Sequence, residues 1–237
     1  MNPTLVSGFL RQRLASPLRV TLAALATLLP LGIVYGSPQA GLAALGDSAG
    51  FAFILGAGLI GQDLSSGVLQ LLFARPIRRS EYVLNRWLAA GGAASAVALA
   101  RIGIAVVILA ARGYPASVQS IATVAGNDVL IAFGTCSVLT LFSSLVGGLG
   151  DLALLFVTML SSQTLQGIGM FTHTNALVRT GVELHGFVNP RVDLAQCVSL
   201  ASFPWFMVTS YASTVTLCLA LAIVTINHRE ISYASAG

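Results

Sequence analysis

The sequence predicts an all-α membrane protein with six transmembrane helices, and three observations lead there. Hydrophobic residues make up 56% of the 237-residue chain and charged residues only 8%, whereas about a quarter of the residues in ordinary soluble domains are charged. The mean hydropathy is +0.86, more apolar surface than a soluble chain of this length can hide, so lipid is the expected solvent. The apolar residues also fall into six runs, each approaching the roughly 20 residues that cross a bilayer, with arginines gathered at alternate ends of those runs.

The elements follow in chain order. In residues 1–17, Leu5, Val6, Phe9, Leu10 and Leu14 recur at helical spacing beside Arg11 and Arg13, which predicts an amphipathic helix lying in the membrane interface. Pro17 ends it. Residues 18–62 hold the first two spans, Leu18–Tyr35 with Pro30 inside it and Leu42–Gln62. Residues 63–81 form a polar elbow. Residues 82–171 hold three more spans, Tyr82–Ala111, Asn127–Leu149 and Leu152–Phe171, the last two joined by a tight glycine turn at Gly147–Asp151. Residues 172–204 are too apolar for a plain loop. LVRTGVELHGFV and LAQCVSLASF predict two short outward-facing or re-entrant helices, parted at Asn189-Pro190. Residues 205–237 supply the sixth span, Trp205–Ile226, and a tail. Val20–Tyr35 has the length of a signal peptide behind Arg11, Arg13 and Arg19, but no small-x-small cleavage site follows it, and the expectation is that it is retained.

Six spans put both termini on one side. With that side inside, the inner segments hold Arg11, Arg13, Arg19, Arg75, Arg78, Arg79, Arg86 and Arg229, and the outer ones Arg112, Arg179 and Arg191. Arginine-rich segments stay inside, so both termini are expected in the cytoplasm. Trp87 and Trp205 sit near span ends, where indole rings favour the interface.

The stretch Gly56–Trp87, GAGLIGQDLSSGVLQLLFARPIRRSEYVLNRW, is the most charged in the chain. Leu64, Val68, Leu71 and Leu72 share one helix face, with Ser65, Ser66 and Gln70 elsewhere around it. Pro76 interrupts that helix, Ser80 is a candidate cap for the next, and Glu81 lies in its first turn, where the helix dipole favours a carboxylate. The pattern predicts a helix–break–helix elbow with an arginine cluster at the bend. A positive-inside loop with no further role explains the arginines alone equally well.

These residues resemble the permease subunits of type-2 ABC exporters. An acid, a few residues, Gly-Thr-Leu, paired leucines and then a proline flanked by Ser/Arg and an aromatic are typical of that family between spans two and three. Asp63, Gly67, Leu69, Leu71, Leu72, Pro76, Arg79 and Tyr82 fit those positions, with Val68 where Thr is common and Asp63 where Glu is common. The amphipathic start, the six spans and the short helices before the last span extend the resemblance over the whole chain. It implies a bacterial inner-membrane permease that pairs with a second permease subunit as a homo- or heterodimer, above two copies of a separate ABC ATPase that carry the ATP and Mg. The elbow would be the cytoplasmic coupling helix, with Asp63, Gly67, Leu71, Leu72, Arg75, Pro76, Arg78, Arg79 and Glu81 as the ATPase-coupling residues. The chain contains no lysine, so a P-loop of the usual kind is not on it, in keeping with hydrolysis on a partner.

Arg101 lies within an apolar run, where an arginine costs about 2.5–3.5 kcal/mol on insertion scales. It is expected either to snorkel to the outer surface, or to face a translocation cavity or pair with Asp128 or Asp47. Ser137 and Thr140 share a face of the fourth span with Ser144, and Thr209 and Ser213 one of the sixth with Thr216. Gln163 and Gln166 stand in a polar cluster in the fifth. With Arg101, these are the candidate pathway residues, although interhelical hydrogen bonding accounts for the hydroxyls as well. Gly91 and Ser95 predict close helix packing.

Cys136 and Cys218 are expected in the core and Cys197 in an outer loop, with no metal-ligand spacing or disulfide framework. His173 and His185 with Glu183 or Asp193 make a weak metal pattern, and no metal or catalytic site is expected. HExxH, GxSxG and aspartate-rich phosphotransferase patterns are absent, against a membrane enzyme. An ion-coupled carrier or channel is the alternative, as is an ABC-type subunit that transmits mechanical work to an outer-side protein.

Overall fold

The structure is a computed structural model. It describes residues 3–69, 78–195 and 204–229, and only the backbone of residues 3–5, 13 and 14. Among these residues the regular structure is helical throughout. In order it comprises α1 (Pro3–Leu14), α2 (Pro17–Gly36), a 3-10 helix (Pro38–Leu45), α3 (Ala49–Gly56), α4 (Gly61–Ser65), α5 (Arg79–Ala111), α6 (Val118–Leu145), α7 (Gly150–Phe171), α8 (Asn175–Val188) and α9 (Trp205–His228). Among the described residues six segments are long and apolar enough to cross a membrane: α2, the stretch Pro38–Ser65, α5, α6, α7 and α9. The fold class is the one the sequence predicts.

Hydrogen bonds and ion pairs define two ends of the bundle. At one end Gly148 N donates to Gly61 O, Arg229 to Leu145 O and Arg79 to Ile226 O. At the other, Arg112 donates to Tyr35 O and Arg191 pairs with Asp47. The first end also receives α1, whose Phe9 packs edge-on to Tyr82 of α5 at 6.0 Å. These are the ends that the arginine count assigns to inside and outside.

α2 begins with proline at its first turn, where the missing N–H is no loss. Pro17 thus opens the first span as well as ending the segment before it. α6 starts at Val118, nine residues before the expected Asn127, with Ser117 accepting from Ser120 N as its N-cap. The polar stretch QSIATVAGN hides those first turns from a hydropathy reading. α5 starts at Arg79 with Arg78 as N-cap, so Ser80 lies in the first turn and is not the cap. At 33 residues α5 is about 50 Å long, well beyond the roughly 30 Å of hydrocarbon.

The largest departure is the second span, which is not one helix. The 3-10 helix ends at Leu45, α3 runs over Ala49–Gly56, and α4 restarts at Gly61. The expected elbow helix is also interrupted, because α4 stops at Ser65 and Gly67 takes φ +71° before helical residues resume at Val68.

The segment between the fifth and sixth spans folds back against the bundle as a hairpin. α8 returns along α7, where Ser162 donates to Gly181 O at 3.0 Å. Ser162 is nine residues from the end of α7 at Phe171, on the order of 14 Å down the helix. The tip at Asn189-Pro190 sits against the middle of α6, where Thr135 bonds Asn189 Oδ1. The chain then climbs back, and Leu194 N donates to Asn127 Oδ1 nearer the outer end. The second expected short helix extends beyond Ala195, outside the described residues, as does Cys197. Cys136 and Cys218 are both fully buried. Gly91 gives the expected close packing, its Cα facing the Phe133 ring of α6.

Candidate functional site: a segmented span held by buried polar groups

Breaks in a helix expose backbone N–H and C=O groups that lipid cannot satisfy, so irregular backbone persists at membrane depth only where protein or a cavity receives it. In this chain each break of the second span is received by polar side chains from its neighbours.

The outer break, residues 46–48, is held by Arg101 of α5. Its Nη1 donates to Leu45 O at 3.0 Å, and its Nη2 to Gly46 O at 3.3 Å and to Asp128 Oδ2 at 3.1 Å. Arg101 and Asp128 are each 2% exposed. The guanidinium also lies over the Phe51 ring, 4.8 Å from its centre, and Ser48 donates to Asp128 O at 2.6 Å. Of the two expectations for Arg101, the structure shows the pairing with Asp128, with the guanidinium buried against the outer break. Asp47, the other suggested partner, holds Arg191 at 3.5 Å.

The inner break, residues 57–60, is received by α6 and α7. Ser143 Oγ accepts from Ile60 N at 2.9 Å and from Gly61 N at 2.8 Å. Asp151 Oδ2 accepts from Gly58 N at 2.6 Å while its Oδ1 accepts from Leu152 N at 2.9 Å. Two glycines make this possible. Gly58 takes φ +65°, and a Cβ on Gly61 would stand 2.6 Å from Gly148 O and 2.8 Å from Val146 O.

The base of the span is held by α5 and α1. Asp63 forms a buried ion pair with Arg86 and accepts from Tyr82 OH at 2.6 Å. Arg86 also donates to Gln12 Oε1 at 3.2 Å and covers the Phe9 ring, 3.8 Å from its centre. Charge-assisted bonds of this kind contribute about 1.5–3 kcal/mol each. Beside them stands Asn85, fully buried with neither amide atom hydrogen-bonded.

The expected coupling residues therefore separate. Asp63 is buried inside the bundle and not presented at its surface. Gly67 makes the turn after α4. Arg78 is exposed and Glu81 half-buried in the first turn of α5. Arg79 donates to Ile226 O, Asn227 O and Arg229 O at 2.8–3.2 Å, capping the end of α9. Leu71, Leu72, Arg75 and Pro76 lie outside the described residues. The arginine island is not uniform, since Arg86 is buried within the core, 3% exposed.

The expected pathway residues are not brought together within one chain. Ser137 and Thr140 are fully buried and bond the carbonyls of Gly134 and Cys136 on their own helix, both at 2.6 Å. Gln163 is exposed, and Gln166 is half-buried on Ser162 Oγ. Thr209 and Ser213 are exposed on α9, bonded to Trp205 O and Ser210 O. The residues beside those last two, Ser210 and Thr214, line a cavity of about 460 Å³ between α8 and α9, with Arg179, Glu183, Arg191 and Tyr211.

Sequence reasoning missed Ser143, Asp151 and Tyr82 as ligands of the broken span. An acid opening an otherwise apolar helix, as Asp151 does, is the one local signal that could have marked them. Among known proteins, no family model matches the chain and no curated protein matches it.

Proposed function

We propose that this chain is the membrane-spanning permease subunit of an ATP-driven exporter of the type-2 ABC class, paired with a second permease subunit and worked by two separate ATPase subunits on the inner side. The observation that carries this reading is mechanical. Arg79 and the Asp63–Arg86–Tyr82 cluster tie the two flanks of the elbow to α9, α5 and α1. A push on the elbow then reaches two spans, α5 and α9, together with α1 and the segmented span. ATPase closure can shift a permease between two states only through contacts that differ between them, and a braced base supplies such contacts where a slack loop does not. Discontinuous helices at membrane depth also recur at transport sites.

The clean test is Arg78→Glu, because Arg78 is exposed at the start of α5 whereas Arg79 also caps α9. In vesicles containing the purified chain with its ATPase, the variant inserts normally and loses transport about tenfold per ATP hydrolysed. Unchanged coupling removes Arg78 from the proposed contact. Purification from native membranes is expected to bring down an ABC ATPase, and its absence speaks against the class.

One observation favours a second reading, an ion-coupled carrier. Asp63, Asp128 and Asp151 are all buried, and buried acids mark ion pathways in carriers. Each is already engaged by an arginine or a backbone N–H. Transport driven by a proton gradient with no ATPase present is the result that selects the carrier.

A further inference from the structure

A second cavity, of about 340 Å³, opens at the inner end between α2, α3 and the start of α7. Its walls are apolar, from Leu18, Leu22, Phe53, Ile54, Leu149 and Leu152, and its polar groups are Ser16, Arg19 and Gln62. Arg19 enters half-buried. Its Nη2 donates to Ala57 O at 3.2 Å and to Gln62 Oε1 at 3.0 Å, and among the described residues no carboxylate is within ion-pair distance of it. Asp151 attracts this guanidinium and Arg86 repels it, but Asp151 has both oxygens on backbone N–H groups. Both Arg19 bonds come from Nη2, and among the described residues its other donors face no bonded acceptor, which leaves them open to an anion.

What anion is told by the surface that leads away from the cavity. Leu18, Leu22, Leu25 and Leu29 follow one another at i, i+4, i+7 and i+11 along α2 and are 42–68% exposed. That strip is about 16 Å long and runs from the arginine toward the centre of the membrane. A cation at the interface, a pocket the size of a small headgroup, and an apolar rail of acyl-chain length form one continuous surface. Guanidinium matches phosphate oxygens two at a time.

We propose that this cavity binds one anionic phospholipid of the leaflet beside α1. Its phosphate lies on Arg19 with Ser16 nearby, its glycerol fills the cavity, and an acyl chain follows the leucine strip of α2. The bound lipid wedges the first span against the inner break of the second, since Arg19 also holds Ala57 O.

The test is native mass spectrometry of the full chain released from nanodiscs made of equal parts phosphatidylglycerol and phosphatidylcholine. One phosphatidylglycerol per chain is expected to survive release. Arg19→Gln lowers its retention about tenfold. Leu22→Trp, which keeps the charge and blocks the pocket from a partly exposed position, lowers it as well. Arg112→Gln, at the opposite end, leaves it unchanged. Equal retention of the two lipids by the native chain, or native-like retention in both Arg19→Gln and Leu22→Trp, overturns the proposal. So does displacement of the lipid by millimolar inorganic phosphate, which would mark a site for the ion alone. No ATPase enters the readout, so the result is independent of the transport reading.

Discussion

Replacing Arg101 by methionine tests the central claim that buried polar groups hold the second span together. Methionine keeps most of the arginine stem, so the loss is confined to the charged head and its place over the Phe51 ring. That head makes three hydrogen bonds, two to the carbonyls of Leu45 and Gly46 and one to Asp128. Asp128 would be left buried with its charge unmatched. Removing one partner of a buried pair costs about 3–5 kcal/mol, which at 1.4 kcal/mol per decade shifts the unfolding equilibrium by roughly two to four powers of ten. Asp128→Asn should cost less, because the guanidinium keeps both carbonyls. The double variant should be more stable than the two single losses summed predict, by about 1–3 kcal/mol. Equilibrium unfolding in mixed micelles, followed by far-ultraviolet circular dichroism, measures all four proteins. The reasoning fails if Arg101→Met lies within about 0.5 kcal/mol of the native chain, or if the two substitutions simply add. Either result means the arginine head has left the interior, as a snorkelling residue does.

Two further substitutions probe the same scaffold by the same titration. Gly61→Ala sets a methyl against the backbone oxygens of Gly148 and Val146, which must part, at a cost of about 1–3 kcal/mol; native-like stability would show that α4 does not press on that turn. Asn85→Leu replaces a fully buried amide that has no hydrogen-bond partner with an apolar group of similar size, so it should be neutral or stabilise by up to about 3 kcal/mol. A clear loss of stability in that variant would mean that the amide is satisfied after all.

The spans were legible because their signal is local and long. Twenty apolar residues in a row have few alternatives, and the glycine turn at 147–151 and the Pro17 boundary follow from backbone restrictions that any neighbourhood must respect. Arg101 was legible as an anomaly, and its partner Asp128 could be named because a buried cation needs an anion. The segmentation of the second span was not legible. Gly46, Gly58 and Gly61 are three small residues in a run that reads as one helix, and what decides their geometry lies far along the chain. Gly58 meets Asp151 from 93 residues away and Ile60 meets Ser143 from 83. The fate of Arg86 was hidden for the same reason. In the sequence it is one more positive charge beside Arg78 and Arg79, and only the docking of Asp63, Phe9 and Gln12 around it turns it inward. The polar faces of spans four and six were seen, but hydroxyls that bond their own helix look the same in sequence as hydroxyls that line a passage.

The hairpin that α8 forms against α7 constrains how the protein can be made. α8 has 14 residues and reaches only about 21 Å, too short to be laterally released as a span of its own. It can sink to its resting depth only once α6 and α7 are standing beside it, because Ser162 and Thr135 receive its carbonyl and its tip. The last helix, which emerges afterwards, then closes over Pro190 through Tyr211. Biogenesis therefore has a final step that depends on the C-terminal helix. A nascent chain stalled before Trp205 would carry five spans and a hairpin left uncovered at Pro190, the kind of species that quality-control proteases of the membrane remove.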